Sequence, residues 1–282
     1  MRPPAVVLLA LLAWGSVASA QLHLGADATV SWPYVWRGLT RANCFAEAPE
    51  AFFTLEFNLA HHRALLSAGS WWIYESGASP SRLSDVGPGG TRVGEIDSWA
   101  QYAGRFGAID VTLGQIRYNY RGTVIGAGRT PLDNTKEWYG SLRASGKYFA
   151  PGFSAYYDVD RVRGWYVEAY SGIPVFGSPV VRPSFWLVLG ALAGYSLGQE
   201  VNPGDATEGA NFSRSGLTHF DLSATVGAPR FLELPGTAWE IDLHLQVNID
   251  PATRRTSPAS LDRSLRLFVR SSVRWTARLV RW

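Results

Sequence analysis

Cysteine occurs once in this 282-residue chain, as Cys44, so no internal disulfide can form. Charge is also scarce: 17% of residues are Asp, Glu, Lys or Arg, against about 25% in soluble domains. Long apolar runs are missing. Beyond the N-terminus the longest is FWLVLGALA, Phe185–Ala193. That is too short for a membrane helix of ~20 residues but long enough for a tilted strand of ~9–11. These absences exclude a disulfide-stapled secreted scaffold and a helical membrane protein. A mean hydropathy of −0.03 excludes a disordered chain. The net charge of +3 points to no particular partner and implies no nucleic acid. GPGG (Gly87–Gly90) lacks a following Gly-Lys-Ser/Thr, so it reads as a loop and not as a phosphate cradle.

What is present begins with a signal-like N-terminus. Arg2 supplies a positive start, AVVLLALLAW (Ala5–Trp14) an apolar core, and Ala18-Ser19-Ala20 a small-x-small cleavage site. Residues 1–20 are therefore expected to be a signal peptide, and 21–282 a single exported domain. Aromatics are abundant, with 12 Trp, 12 Tyr and 13 Phe.

Period-two alternation recurs along the chain. In WEIDLHLQVNI (239–249), Trp239, Ile241, Leu243, Leu245 and Val247 alternate with Glu240, Asp242, His244, Gln246 and Asn248. Similar ribbons occupy 22–36, 52–60, 94–106, 217–226 and 265–275. The stretch 108–120 changes phase at Gly114, which predicts a β-bulge there. Weaker strands are expected near 64–74, 137–145, 153–160, 165–173 and 184–195, making twelve. Several ribbons reach ten residues or more, whereas soluble strands usually run ~5–6.

The connections alternate in length. Long ones fall near 75–92, 121–134, 196–215 and 250–263; shorter ones near 60–63, 106–108, 146–152, 172–183 and 227–237. The link at 160–164 is short where a long one is due. Such sorting is expected when every strand crosses one membrane, with loops on one side and turns on the other. The fold class expected is all-β: a transmembrane antiparallel up-and-down β-barrel of about 12 strands. Its apolar faces would meet lipid and its polar faces a wet interior. Trp32, Trp36, Trp72, Phe185, Tyr195, Trp239 and Trp275 would form aromatic girdles at the membrane interfaces.

The run SWPYVWRGLT (Ser31–Thr40) resembles the opening strand of the TorF-like family of Gram-negative outer-membrane porins. In that family a Tyr-x-(Trp/Phe)-Arg-Gly-(aliphatic)-(Ser/Thr) run ends the first strand, matched here by Tyr34, Trp36, Arg37, Gly38, Leu39 and Thr40. EIDSWAQYAG (Glu95–Gly104) and GAIDVTLGQIRYNYRG (Gly107–Gly122) are similar to its next strand pair. Pro33 departs from the family's usual Asp. The C-terminus departs too: Trp275 closes an alternating strand, but TARLVRW follows, which implies a shifted last strand or a basic periplasmic tail. The resemblance implies an outer-membrane barrel surrounded by outer-membrane lipid; the leading expectation for such a barrel is a passive channel for small hydrophilic solutes, with no cofactor.

The expected pore lining combines Glu56, Glu95, Asp97, Asp158, Glu168, Asp221, Glu240, Asp242 and His244 with Arg37, Arg117, Arg143, Arg266, Arg270 and Arg274. The last three arginines point one way at intervals of ~13 Å on a strand. They form either an electropositive ladder for anionic solutes or a set of pairs with Glu240 and Asp242 on one side and Asp27 on the other. No catalytic or metal site is expected. His219, Asp221 and Ser223 share a strand face but sit too far apart, ~7 Å per step, to make a proton relay alone. His244 with Asp242 is no better, and His61–His62 falls in a turn. The chain therefore reads as no enzyme. A non-conducting structural or adhesive barrel and an outer-membrane hydrolase stand as alternatives.

Overall fold

The computed structural model describes residues 17–37, 39–42, 45–59, 63–76, 92–120, 124–125, 130–131, 134–144, 146, 148–177, 185–199, 212, 214–229, 234–251 and 264–281. Ala5–Trp14, Cys44, His61–His62 and Gly87–Gly90 lie outside this set, as do the side chains of Leu39 and Thr40.

The strands in chain order are β1 (Val17–Trp32), β2 (Tyr34–Trp36), β3 (Leu39–Ala42), β4 (Phe45–Leu59), β5 (Arg63–Ser76), β6 (Arg92–Phe106), β7 (Ile109–Tyr120), β8 (Val124–Ile125) and β9 (Thr130–Pro131). They continue as β10 (Thr135–Ala144), β11 (Ala150–Asp158), β12 (Trp165–Phe176), β13 (Trp186–Leu197), β14 (Gly216–Pro229), β15 (Thr237–Asn248) and β16 (Leu265–Arg281). Two short hairpins, β2–β3 and β8–β9, stand apart. The other twelve strands pair antiparallel with their chain neighbours, and β1 meets β16 to close the barrel. Closure pairs every wall strand on both sides and leaves no sheet edge.

The interior is polar and the exterior apolar. Asp97, Glu137, Gln246, Asn248 and Arg266 are buried, while Leu113, Leu222, Leu243 and Leu267 are each more than half exposed. In water each such side chain would forgo about 1.5–3 kcal/mol of burial, so the belt needs an apolar surround. The fold is a transmembrane barrel. Aromatics mark both rims of the belt: Trp32, Trp138, Trp165 and Tyr195 toward the long connections, Phe106, Phe153, Phe185 and Trp275 toward the short ones. Phe185 stacks on Phe176 at 5.4 Å. Phe185 and Tyr195 are ten residues apart, ~33 Å along a strand or ~25 Å of height at the usual tilt. Trp72 and Trp239 also point outward by register; the Trp36 side chain is outside the described set.

Three expectations are corrected. First, β7 carries no bulge at Gly114; its ladders to β6 and β10 run unbroken. The phase change is an inversion of the wall, with Ile116, Tyr118 and Tyr120 facing the lumen and Gln115, Arg117 and Asn119 facing out. Gly114 leaves room for the ring of Tyr139, whose atoms a Cβ would approach to 2.5 Å. Second, β1 ends at Trp32 and not at Trp36, because residues 34–42 turn away as the β2–β3 hairpin. Third, of the two alternatives for the chain's end, the basic tail falls and the displaced strand end holds: β16 continues through Thr276 to Arg281, which pairs with Gln21. Gln21 also pairs with Glu56, so β1 is held on both sides from the residue after the expected cleavage site. The strand itself begins at Val17.

Candidate functional site

The lumen has an occluded part and an open part. The occlusion is built on Arg37, at the tip of the β2–β3 hairpin, with a left-handed φ of 48°. A non-glycine residue there costs about 1–3 kcal/mol and persists only where its surroundings fix it. Those surroundings are specific. Arg37 donates from Nη1 to Glu137 Oε1 at 2.7 Å and from Nη2 to Glu137 Oε2 at 2.6 Å, a forked pair. Tyr118 Oη donates to the same carboxylate at 2.9 Å. The guanidinium lies over the rings of Tyr156 and Tyr166, 4.2 and 4.9 Å from their centroids. Phe212, from the long connection after β13, stacks on Tyr166 at 5.3 Å, and Tyr156 stacks on Tyr139 at 5.8 Å. Both members of the ion pair are buried, so the β2–β3 hairpin, Phe212 and the inner wall of β7, β10, β11 and β12 fill this side of the lumen near the long-connection end.

The open part carries three arginines of one design. Arg63 pairs with Glu56 at 2.6 Å, Arg270 with Asp242 at 2.8 Å and Arg274 with Asp27 at 3.0 Å. The guanidinium side chains are 59%, 51% and 62% exposed, while their acids are 10%, 6% and 8% exposed. The carboxylates thus lie against the wall and the positive tips stand in the cavity. Each acid has further support: Thr225 donates to Asp242 at 2.7 Å, Thr29 to Asp27 at 3.0 Å, and His23 lies 3.3 Å from Glu56. Arg270 and Arg274 thus make the pairs expected of them, and pairing leaves both guanidinium groups exposed. Asp242 and Asp27 are the partners expected on either side of β16.

The remaining expected lining residues divide. Glu95, Glu168, Asp221, Glu240 and His244 face the lumen by register, and Arg143 faces it near the short-connection end. Asp97 is buried on the inner face, where it accepts from Trp71 Nε1 at 2.6 Å. Arg266 faces inward but is fully buried, so the outermost rung of the ladder is covered. Asp158 is a structural cap: its Oδ1 accepts the backbone N–H groups of Asp160, Arg161 and Val162 and its Oδ2 a bond from Thr135. Those bonds fix the short 159–164 connection. Arg117 is a correction; it faces away from the lumen, because Tyr118 and Ile116 take the inner positions of β7.

His219, Asp221 and Ser223 do share the inner face, and they do not form a relay. His219 Nδ1 meets Thr218 at 3.0 Å. Asp221 instead pairs with His244 Nδ1 at 3.0 Å, and His244 stacks on Phe268 at 4.2 Å. Ser223 leans over Gly190, on the opposite side from His244. Among the described residues no group of three metal-ligating side chains gathers.

Sequence reading missed the inward aromatics. Trp99 donates to Glu50 at 2.6 Å and lies against Phe52. The signal was available, because Trp99 shares parity with Asp97 and Gln101. Glu137, the anchor of the hairpin, was not legible, since its partner is 100 residues away.

These features define a class: a membrane-spanning barrel with a charged lumen, partly filled by its own connections. No family model matches the chain, and no curated protein does. Among solved structures it is similar to the COG4313 outer membrane channel from Pseudomonas putida F1, at 9% identity and a TM-score of 0.49 over 94% of this chain and 98% of that one. It is also similar to the beta domain of the Bordetella autotransporter BrkA, at 11% identity and a TM-score of 0.43 over 91% and 98%. OccK5 of Pseudomonas aeruginosa follows at 10% identity and a TM-score of 0.34 over 94% and 100%. The assignment of the fold rests on the chain's own closed ladder.

Proposed function

We propose that this chain is an outer-membrane barrel of the TorF-like porin type, exported through residues 1–20, which passes small hydrophilic solutes passively and prefers anions. The long connections would face the outside and the short turns and both chain ends the periplasm. The observation that carries the reading is the trio Arg63, Arg270 and Arg274, each holding a positive tip in the lumen over a buried carboxylate. A cation row of this kind sets selectivity in a pore. Twelve strands give a bore between side-chain-filled eight-strand barrels and the wide porins. No cofactor, metal, nucleic acid or bond-making step enters this mechanism; solutes diffuse, and the wall filters them by size and charge.

The second reading is a non-conducting barrel, favoured by the Arg37 hairpin that fills one side of the lumen. Conductance of the purified, folded chain in a planar bilayer separates the two. Discrete conducting steps whose zero-current potential in a salt gradient has the sign of anion preference support the channel. Absence of current across salts, from protein with intact heat-modifiable migration, removes it.

A further inference from the structure

The inverted half of β7 calls for an explanation that the lumen does not supply. Gln115, Arg117 and Asn119 face away from the cavity, on a wall whose other strands present apolar side chains. The inversion begins at the belt's rim. Gln115 pairs with Trp138, which pairs with Tyr157, which pairs with Trp165. Trp138 and Trp165 are about half exposed, and Tyr157 contacts Trp165 at 4.8 Å. This row is the aromatic girdle of the sector. Two residues further out, ~5 Å in height on a tilted strand, Arg117 stands directly opposite Lys136, and both point outward.

Among the described residues the charges at that spot are mostly positive. Arg117 is exposed, and among the described residues its guanidinium has no ion pair. Lys136 lies 3.3 Å from Asp160, with both side chains over two-fifths exposed. The connection joining β11 to β12 adds the exposed Arg161 and Arg163. Among the described residues, Arg117, Lys136, Arg161 and Arg163 thus gather with Asp160 just beyond a girdle, on the sector where the long-connection end carries its shortest link. Cations at that height sit where a lipid leaflet places its phosphates. A tryptophan–tyrosine row below them fits the boundary between acyl chains and head groups.

We propose that Arg117 and Lys136, with Arg161 and Arg163 beside them, bind the phosphate groups of the phosphorylated glycolipid that forms the outer leaflet of an outer membrane. The site rests on the outer-membrane reading above but not on conduction. The guanidinium fork of Arg117 suits a phosphate, and Lys136 supplies a second point charge.

The test titrates bisphosphorylated lipid A into the folded full chain in detergent and reads bound glycolipid by native mass spectrometry. The unaltered chain is expected to retain the glycolipid. Arg117→Ser with Lys136→Ser is expected to weaken retention by about tenfold or more, as for losing a charge-assisted contact. Arg117→Lys with Lys136→Arg, which keeps both charges, is expected to retain it. Equal retention by the serine variant overturns the proposal. So does equal retention of lipid A stripped of phosphate, and so does phosphatidylglycerol held as tightly as lipid A. Failure of the barrel reading itself is seen separately, as loss of heat-modifiable migration before any lipid is added.

Discussion

Arg37 sits in a left-handed turn, inside a membrane barrel, against a single carboxylate. Each of those choices is costly alone; together they hold a hairpin in the lumen. Removing one partner of such a buried pair costs about 3–5 kcal/mol. Arg37→Ala is therefore expected to free the hairpin while leaving the wall intact, since β2 and β3 contribute nothing to the barrel ladder. Single-channel recording should show larger conducting steps, and gel migration should be unchanged. Equal step size in the variant would mean that the hairpin does not limit the bore. The lumenal arginines make a second prediction. Arg270→Ala with Arg274→Ala leaves Asp242 and Asp27 uncovered, so the zero-current potential in a salt gradient should move toward cation preference. A potential that stays put would show that these side chains do not face the permeation path.

At the scale of the element, sidedness governs stability. Leu243 points into the belt and Asp242 into the lumen. Leu243→Arg should destabilise the barrel by about 2–4 kcal/mol if it lies near mid-membrane, read by urea unfolding in lipid vesicles. On β7, Gly114→Ala should cost about 1–3 kcal/mol, because the new methyl meets the Tyr139 ring. The regular strands were legible in the sequence because a one-sided environment imposes period two. Eleven of the twelve wall strands, the alternation of connections and the exceptional short link near 160–164 could be read this way. β7 was not, because its outer half reverses which side is polar, and alternation cannot distinguish a reversal from a bulge. β4 begins earlier than its pattern suggests. Pro49 breaks the signal there, yet β4 pairs Pro49 with Ala28 of β1. On the β5 side its ladder passes from Glu47–Tyr74 to Glu50–Trp71.

For the whole molecule, the site divides along the same line as the fold. Residues whose placement and pairing follow from strand parity, such as Asp242, Arg270 and Arg274, were legible. Residues whose role depends on a connection folding inward, such as Glu137, Tyr166 and Phe212, were not, because no local pattern announces where a loop will come to rest. A closed twelve-strand ladder should resist detergent and run faster on gels before boiling than after. The central claim is that apolar faces meet lipid while charged faces meet the lumen. The sole cysteine makes it directly measurable: with Cys44→Ser as background, nitroxide labels are placed one at a time from residue 240 to 247 in lipid vesicles. The account predicts high oxygen accessibility and low accessibility to a water-soluble nickel chelate at 241, 243, 245 and 247, and no such lipid signature at 240, 242, 244 and 246. The opposite phase, or no lipid signature at any of the eight positions, would contradict it.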